Sequence, residues 1–161
     1  TAVADRGLAV SNSRARGIGR FGGSGFARSD SLAATVGGAA ISNSDALALG
    51  RFGGHAESDS ISTATSVGGV AISDGAAISD GLRGGRAESV SDALADTWGG
   101  FSESRVRAVS SARRFGNSHA NGIGVSVSGP RRASRADVRA VGRAYRFGRS
   151  RVNATAVEIR D

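Results

Sequence analysis

The chain has 161 residues, the length of one ordinary domain, but 25 of them are Gly, only 5% are aromatic, and there is neither Cys nor Met. Such a composition offers no core of large side chains, no disulfide framework and no thiolate metal site. The formal charge is +7 with every one of the 21 basic residues an Arg, a permanent planar cation suited to bidentate pairing with carboxylates.

A single Pro and a strict period separate this sequence from a disordered Gly/Ser linker. No apolar run approaches the ~18 residues of a membrane helix, so no membrane span is expected. Thr1 at the start and the lack of Met lead to the expectation of a processed, exported chain.

Gly7 opens a series of glycine corners. It continues through Gly22-Gly23, Gly37-Gly38, Gly53-Gly54, Gly68-Gly69, Gly84-Gly85 and Gly99-Gly100, with spacings that alternate between 15 and 16. Alternate pairs are therefore 31 apart, a repeat length typical of solenoids. One kind of corner follows Arg-Phe, at Phe21, Phe52, Phe115 and Phe147. The other follows Val36, Val67 or Trp98. The four Phe residues are expected to stack coil on coil as a corner spine.

Between corners the chain alternates with a period of two, the strand signature. Thr1 to Arg6 already alternates, with Ala2 and Ala4 on the small side. After Gly54 the small set is Ala56, Ser58, Ser60, Ser62, Ala64 and Ser66, against His55, Glu57, Asp59, Ile61, Thr63 and Thr65. After Gly85 it is Ala87, Ser89, Ser91, Ala93, Ala95 and Thr97. From Gly116 to Ser128 the small set becomes Ser118, Ala120, Gly122, Gly124, Ser126 and Ser128. We read this as a one-residue slip absorbed by a bulge in the preceding segment. The next strand places Ser134, Ala136, Val138, Ala140, Gly142 and Ala144 inward. The last segment runs from Val152 to Asp161.

Charged and large side chains share one face, and charge is costly to bury, so the small face must be the inside. The predicted fold is all-β: a thin two-sheet β-solenoid of about five coils with an Ala/Ser/Gly interior. Strands of about 12 residues would be roughly 40 Å long, with sheets closer than the ~10 Å of ordinary packing. Buried Ser hydroxyls must then find each other along a row, or backbone carbonyls. One domain is expected over 1–161, with regular coils over 1–115 and less regular, Arg-rich coils over 116–161. Charge is segregated: residues 29–103 carry net −7 and residues 104–161 net +10.

Chemistry-bearing residues are sparse. His55 and His119 fall on different coils and read as surface residues, not as a dyad or metal site. Asp59, Asp74, Asp80, Asp92 and Asp96 point outward and read as solubilising carboxylates. Gly-Gly-Ser-Gly at 22–25 lacks the Asp and the period of a calcium-binding nonapeptide roll. Thr63 and Thr65 are too isolated for an ice-binding array. Asn153-Ala154-Thr155 is a glycosylation sequon. No catalytic residue, metal or cofactor is expected, and the chain is not read as an enzyme. Arg135, Arg139, Arg143 and Arg151 are the candidate contacts to an acidic polymer, and an acidic polysaccharide fits better than nucleic acid, because aromatics for base stacking are few.

The Gly-punctuated alternation Gly-Gly-Ala-Ala-Ile-Ser-Asn-Ser-Asp-Ala-Leu-Ala-Leu at 37–49 resembles the bacterial curlin family, the subunits of functional amyloid fibres. That style of repeat covers most of the chain, although the Gln and Asn ladder residues of curlins are missing and this repeat is longer. The run Val70-Ala71-Ile72 is similar to runs in trimeric autotransporter heads. The curlin resemblance implies assembly into fibres outside the cell. Neither terminus shows a helix or Pro cluster that would cap a solenoid, which points the same way. The functional expectation is a secreted structural protein that stacks head to tail as a homopolymer. The alternative is an adhesin or binding module that grips an acidic polymer.

Overall fold

Inward Ala, Ser and Gly at every second position allow two parallel sheets to lie face to face, and the computed structural model shows that arrangement. It describes all residues except Gly23, 52–54, 83–85, Gly99, 114–116, 130–132, 146–148 and Asp161. The strands are β1 (Ala2–Asp5), β2 (Leu8–Gly19), β3 (Gly25–Val36), β4 (Ala39–Arg51), β5 (His55–Val67), β6 (Val70–Leu82), β7 (Arg86–Trp98), β8 (Phe101–Arg113), β9 (Asn117–Ser128), β10 (Ser134–Tyr145) and β11 (Arg149–Arg160). Odd-numbered strands form a six-stranded sheet in the order β1-β3-β5-β7-β9-β11, and even-numbered strands a five-stranded sheet, β2-β4-β6-β8-β10. The chain is thus a β-solenoid that changes sheet at each corner.

Register is constant over most of the stack. Leu8 lies beside Ala39, Ala39 beside Val70 and Val70 beside Phe101, each one full repeat further along the chain. The same step carries Ala2 to Ala33 and Arg86 to Asn117. Ala87 pairs with Ser118 in the ordinary register, so the expected slip is absent from β9. An odd repeat length simply reverses which parity points inward from coil to coil. The extra residue falls later. Ser134 pairs with Ser102, and Ser150 with Ser118, in each case one position beyond the regular repeat. It is accommodated in the corner between Ser128 and Ser134, where the chain's one Pro stands.

The two glycines of a corner have separate tasks. Gly37 and Gly68 take φ of 71° and 72°, a left-handed turn open to Gly at little cost. Gly38 and Gly69 stack on the corner of the neighbouring coil. A Cβ on Gly69 would collide with Gly38 O, the carbonyl that accepts the Val70 N–H at 3.0 Å. Of the expected corner stack, Phe21 is described and its ring is mostly exposed, at positive φ. Phe52, Phe115 and Phe147 lie outside the described residues, as do Gly23, Gly53, Gly54, Gly84, Gly85 and Gly99.

The interior is built from small groups. Ala33, Ala40, Ala64, Ala71 and Ala95 are fully buried together near one corner, and Ala27, Ala46, Ala48 and Ala56 near the other. Between them, serine hydroxyls cross from sheet to sheet. Ser31 donates to Ser11 O at 2.8 Å, Ser60 to Ser44 O at 2.6 Å, Ser62 to Ser42 O at 2.7 Å and Ser73 to Ser62 O at 2.7 Å. Ser44 likewise donates to Ser29 O. A strand carbonyl already bonded in its ladder keeps a second lone pair for this purpose. The partners are therefore opposite-sheet carbonyls and hydroxyls, not serines along the same row.

Volume is traded between the sheets. Val106 is buried on the inner face of β8, where the neighbouring strands carry Gly75 and Val138. Gly122 and Gly124 of β9 make the room. A Cβ on Gly122 would sit 3.0 Å from methyls of both Val106 and Val138. The exchange leaves some hydroxyls without partners. Ser91 lies against Gly75 and Ser104 against Gly124, and both are buried with no hydrogen bond.

These two kinds of serine predict opposite outcomes. Ser62→Ala removes bonds to Ser42 O and Ser42 Oγ and should cost about 0.5–1.5 kcal/mol. Ser91→Ala removes an unbonded hydroxyl and should be neutral or stabilising. Urea unfolding of the two variants beside the parent checks both signs.

Candidate anion-binding groove

The outer face of the five-stranded sheet carries side chains in rows that run along the solenoid axis. One row is Asn12, Asn43, Asp74, Arg105 and Asp137; the next is Arg14, Asp45, Ala76, Arg107 and Arg139. They are the two walls of an open groove of about 1030 Å³. The backbone of the inward positions between them, at Ser13, Gly75, Val106 and Val138, forms its floor.

Most charges in and beside the groove are matched along the axis, as a ladder in constant register allows. Arg14 meets Asp45 at 3.4 Å and Arg105 meets Asp74 at 3.8 Å. The Asn43 side-chain amide donates to Asn12 Oδ1 at 2.8 Å. Glu103 is nearly buried although it points outward, because two guanidinium groups cover it. Arg105 grips it bidentately, Nε to Oε1 at 3.0 Å and Nη2 to Oε2 at 2.8 Å, and Arg135 stands 4.0 Å away. Arg135 also pairs with Asp137 at 2.8 Å. The Glu103 hydrogen bond, with Asp74 close by, raises the Arg105 pKa further above its ordinary value.

Arg107 and Arg139 break this pattern. They are direct neighbours on β8 and β10, and among the described residues neither has an ion-pair partner. Like charges directly opposite in a sheet are unfavourable, and a bound anion removes the repulsion.

Of the four arginines singled out in the sequence, the structure places Arg135, Arg139 and Arg143 on the outer face of β10. Arg139 lines the groove, Arg135 is engaged by carboxylates, and Arg143 lies two outward positions along the strand. Arg151 is on β11 in the other sheet, beside His119, and does not join them. Glu103, Arg105 and Arg107 were not foreseen. Placing β8 beside β10 in this register requires the lengthened step, whose sequence signal is the 32-residue spacing of Phe115 and Phe147 against the 31 of Phe21 and Phe52.

The two histidines do not converge. His119 Nδ1 lies 3.4 Å from Glu88 Oε1, on the outer face of the six-stranded sheet. His55 is in a different row, beside Arg86. Among the described residues no group of three His, Asp or Glu side chains is placed to hold a metal ion, and no helix is long and apolar enough to cross a membrane.

No protein-family model, characterised protein or solved structure matches this chain. The fold and the groove define it as a parallel β-solenoid with a charged outer surface.

Three carboxylates on that surface set its response to pH. Burial raises the pKa of Asp92, between Ile61 and Ile123 in its row, and nearby Asp59 adds to the effect. Burial also raises Asp59, with Arg28 opposing, and Asp74, with Arg105 opposing. A carboxyl with a raised folded-state pKa binds protons more tightly when folded. Its contribution to stability is full below the unfolded value near 3.8 and is lost as pH rises through the folded value. Mild acid should therefore stabilise the solenoid through these groups. Asp92→Asn should raise the melting temperature at pH 7 and flatten its pH dependence, as thermal melts between pH 3.5 and 8 will report.

Proposed function

We propose that this chain is a secreted structural protein whose coils stack edge to edge into an extracellular filament, of the kind found in biofilm matrices or on cell surfaces. The observation that carries this reading is the constant register. The same small inner rows recur at every repeat from β1 to β9, so the edge of one coil is a template for another of the same kind. Strand edges present unpaired N–H and C=O groups that pair readily with a second chain. The dry, in-register small-residue interior is the arrangement that stabilises amyloid-like ladders. Placement outside the cell rests on the resemblance of the repeat to curlins.

The inner rows of β11 depart from this small-residue pattern. Glu158 occupies the inner row that continues from Ala95 and Ser126, and its Oε1 accepts the Ala136 N–H at 3.1 Å. Val152 replaces a small residue in the row of Ser89 and Ala120.

Electron microscopy of the purified chain, with X-ray diffraction from aligned samples, tests the proposal. Unbranched filaments with a ~4.8 Å repeat along the axis are expected. Particles that stay monomeric as concentration rises into the millimolar range contradict it.

A further inference from the structure

We infer that the groove on the five-stranded sheet is a binding site for an extended acidic polysaccharide, with Arg107 and Arg139 as its anion contacts. This goes beyond a structural role and holds whether or not the chain forms filaments.

Three observations point to this ligand chemistry. First, Arg107 and Arg139 stand side by side on adjacent strands, ~4.8 Å apart, without carboxylate partners among the described residues. Elsewhere in the same groove each Arg is matched to an acid: Arg14 to Asp45, and Arg105 to Asp74. Two guanidinium groups on neighbouring strands can take one carboxylate or sulfate between them, or successive anions along a chain. Second, the groove is open and runs parallel to the solenoid axis across β2, β4, β6, β8 and β10, so it accepts a linear polymer more readily than a compact ligand. Third, its walls mix cations with Asn12, Asn43, Asp45 and Asp74, which offer amides and carboxylate oxygens to sugar hydroxyls. A polymer with both hydroxyls and regularly spaced anions uses both kinds of wall residue.

Nucleic acid fits less well. None of the residues lining the groove is aromatic, so bases have nothing to stack on.

The test measures binding of the full chain to immobilised polygalacturonate, heparin and single-stranded DNA across a salt series. Two double variants with the same charge change are compared: Arg107→Ala/Arg139→Ala in the groove, and Arg149→Ala/Arg151→Ala on the other sheet. The groove variant should lose about tenfold or more in affinity for the glycans, as expected for two charge-assisted contacts. The control should stay within about twofold. Removing a like-charge pair should also leave thermal stability unchanged or raised, which separates lost binding from lost folding. Polygalacturonate should raise the melting temperature of the parent more than that of the groove variant. Equal losses in both variants mean diffuse charge attraction and overturn the assignment. So does tighter binding to DNA than to either glycan, or no binding to any glycan at low salt.

Discussion

The distance between the two sheets is the constraint on which everything else depends. A seryl Oγ is two bonds from its own Cα. When Ser62 reaches Ser42 O at 2.7 Å, the facing backbones stand about 5 Å apart, roughly half the ~10 Å of ordinary stacked sheets. From β1 to β10 the inward side chains larger than Ser, Ala or Thr are Val106 and Val138, and both lie against Gly122. Val106 is buried because Gly122 gives way, and Gly75 is tolerated because Ser91 fills in from the other side. The energetics follow from the same geometry. Methyl groups of Ala supply little apolar burial each, so cohesion comes from continuous parallel ladders and from hydroxyls that bond across the gap.

A thin interior forces all other chemistry outward. Leu32, Ile61, Leu94 and Ile123 remain more than a third exposed on the outer face of the six-stranded sheet, because the inside has no room for them. Charges go outward as well, and there the constant step turns residues one coil apart in the sequence into spatial neighbours. Arg14 with Asp45, Arg105 with Asp74 and Asn43 with Asn12 are all such pairs. Their individual contributions are small because the groups are largely solvated. Their regularity matters more: within the groove it leaves Arg107 beside Arg139 as the arginines without an ion pair among the described residues.

Much of the fold was legible in the residue pattern. Period-two alternation with charge on one side and Ala or Ser on the other fixes both the strands and the face that must be buried, since Asp59 or Arg139 cannot be inside. The corner glycines mark the coil length. The error over β9 came from treating a change of parity as a defect, when an odd repeat must invert parity at each coil. The true extra residue, between Ser128 and Ser134, moves pairing by one position for only the last coil. That single step decides which charges meet. Without it, Arg135 could not be placed beside Glu103, nor Arg139 beside Arg107, and the candidate site was reduced to a count of arginines. The partners of the serines were hidden for a related reason. Whether a hydroxyl such as Ser62 or Ser91 finds an acceptor depends on what the opposite sheet places there, and that is set by the fold around the corner.

A crystal structure of the chain, measuring the separation of β4 and β5 across Ser42 and Ser62, tests the central claim most directly. A backbone separation of about 5 Å, with the Ser62 hydroxyl on the Ser42 carbonyl, is the predicted result. Sheets ~10 Å apart, with solvent or large side chains between them, would contradict it.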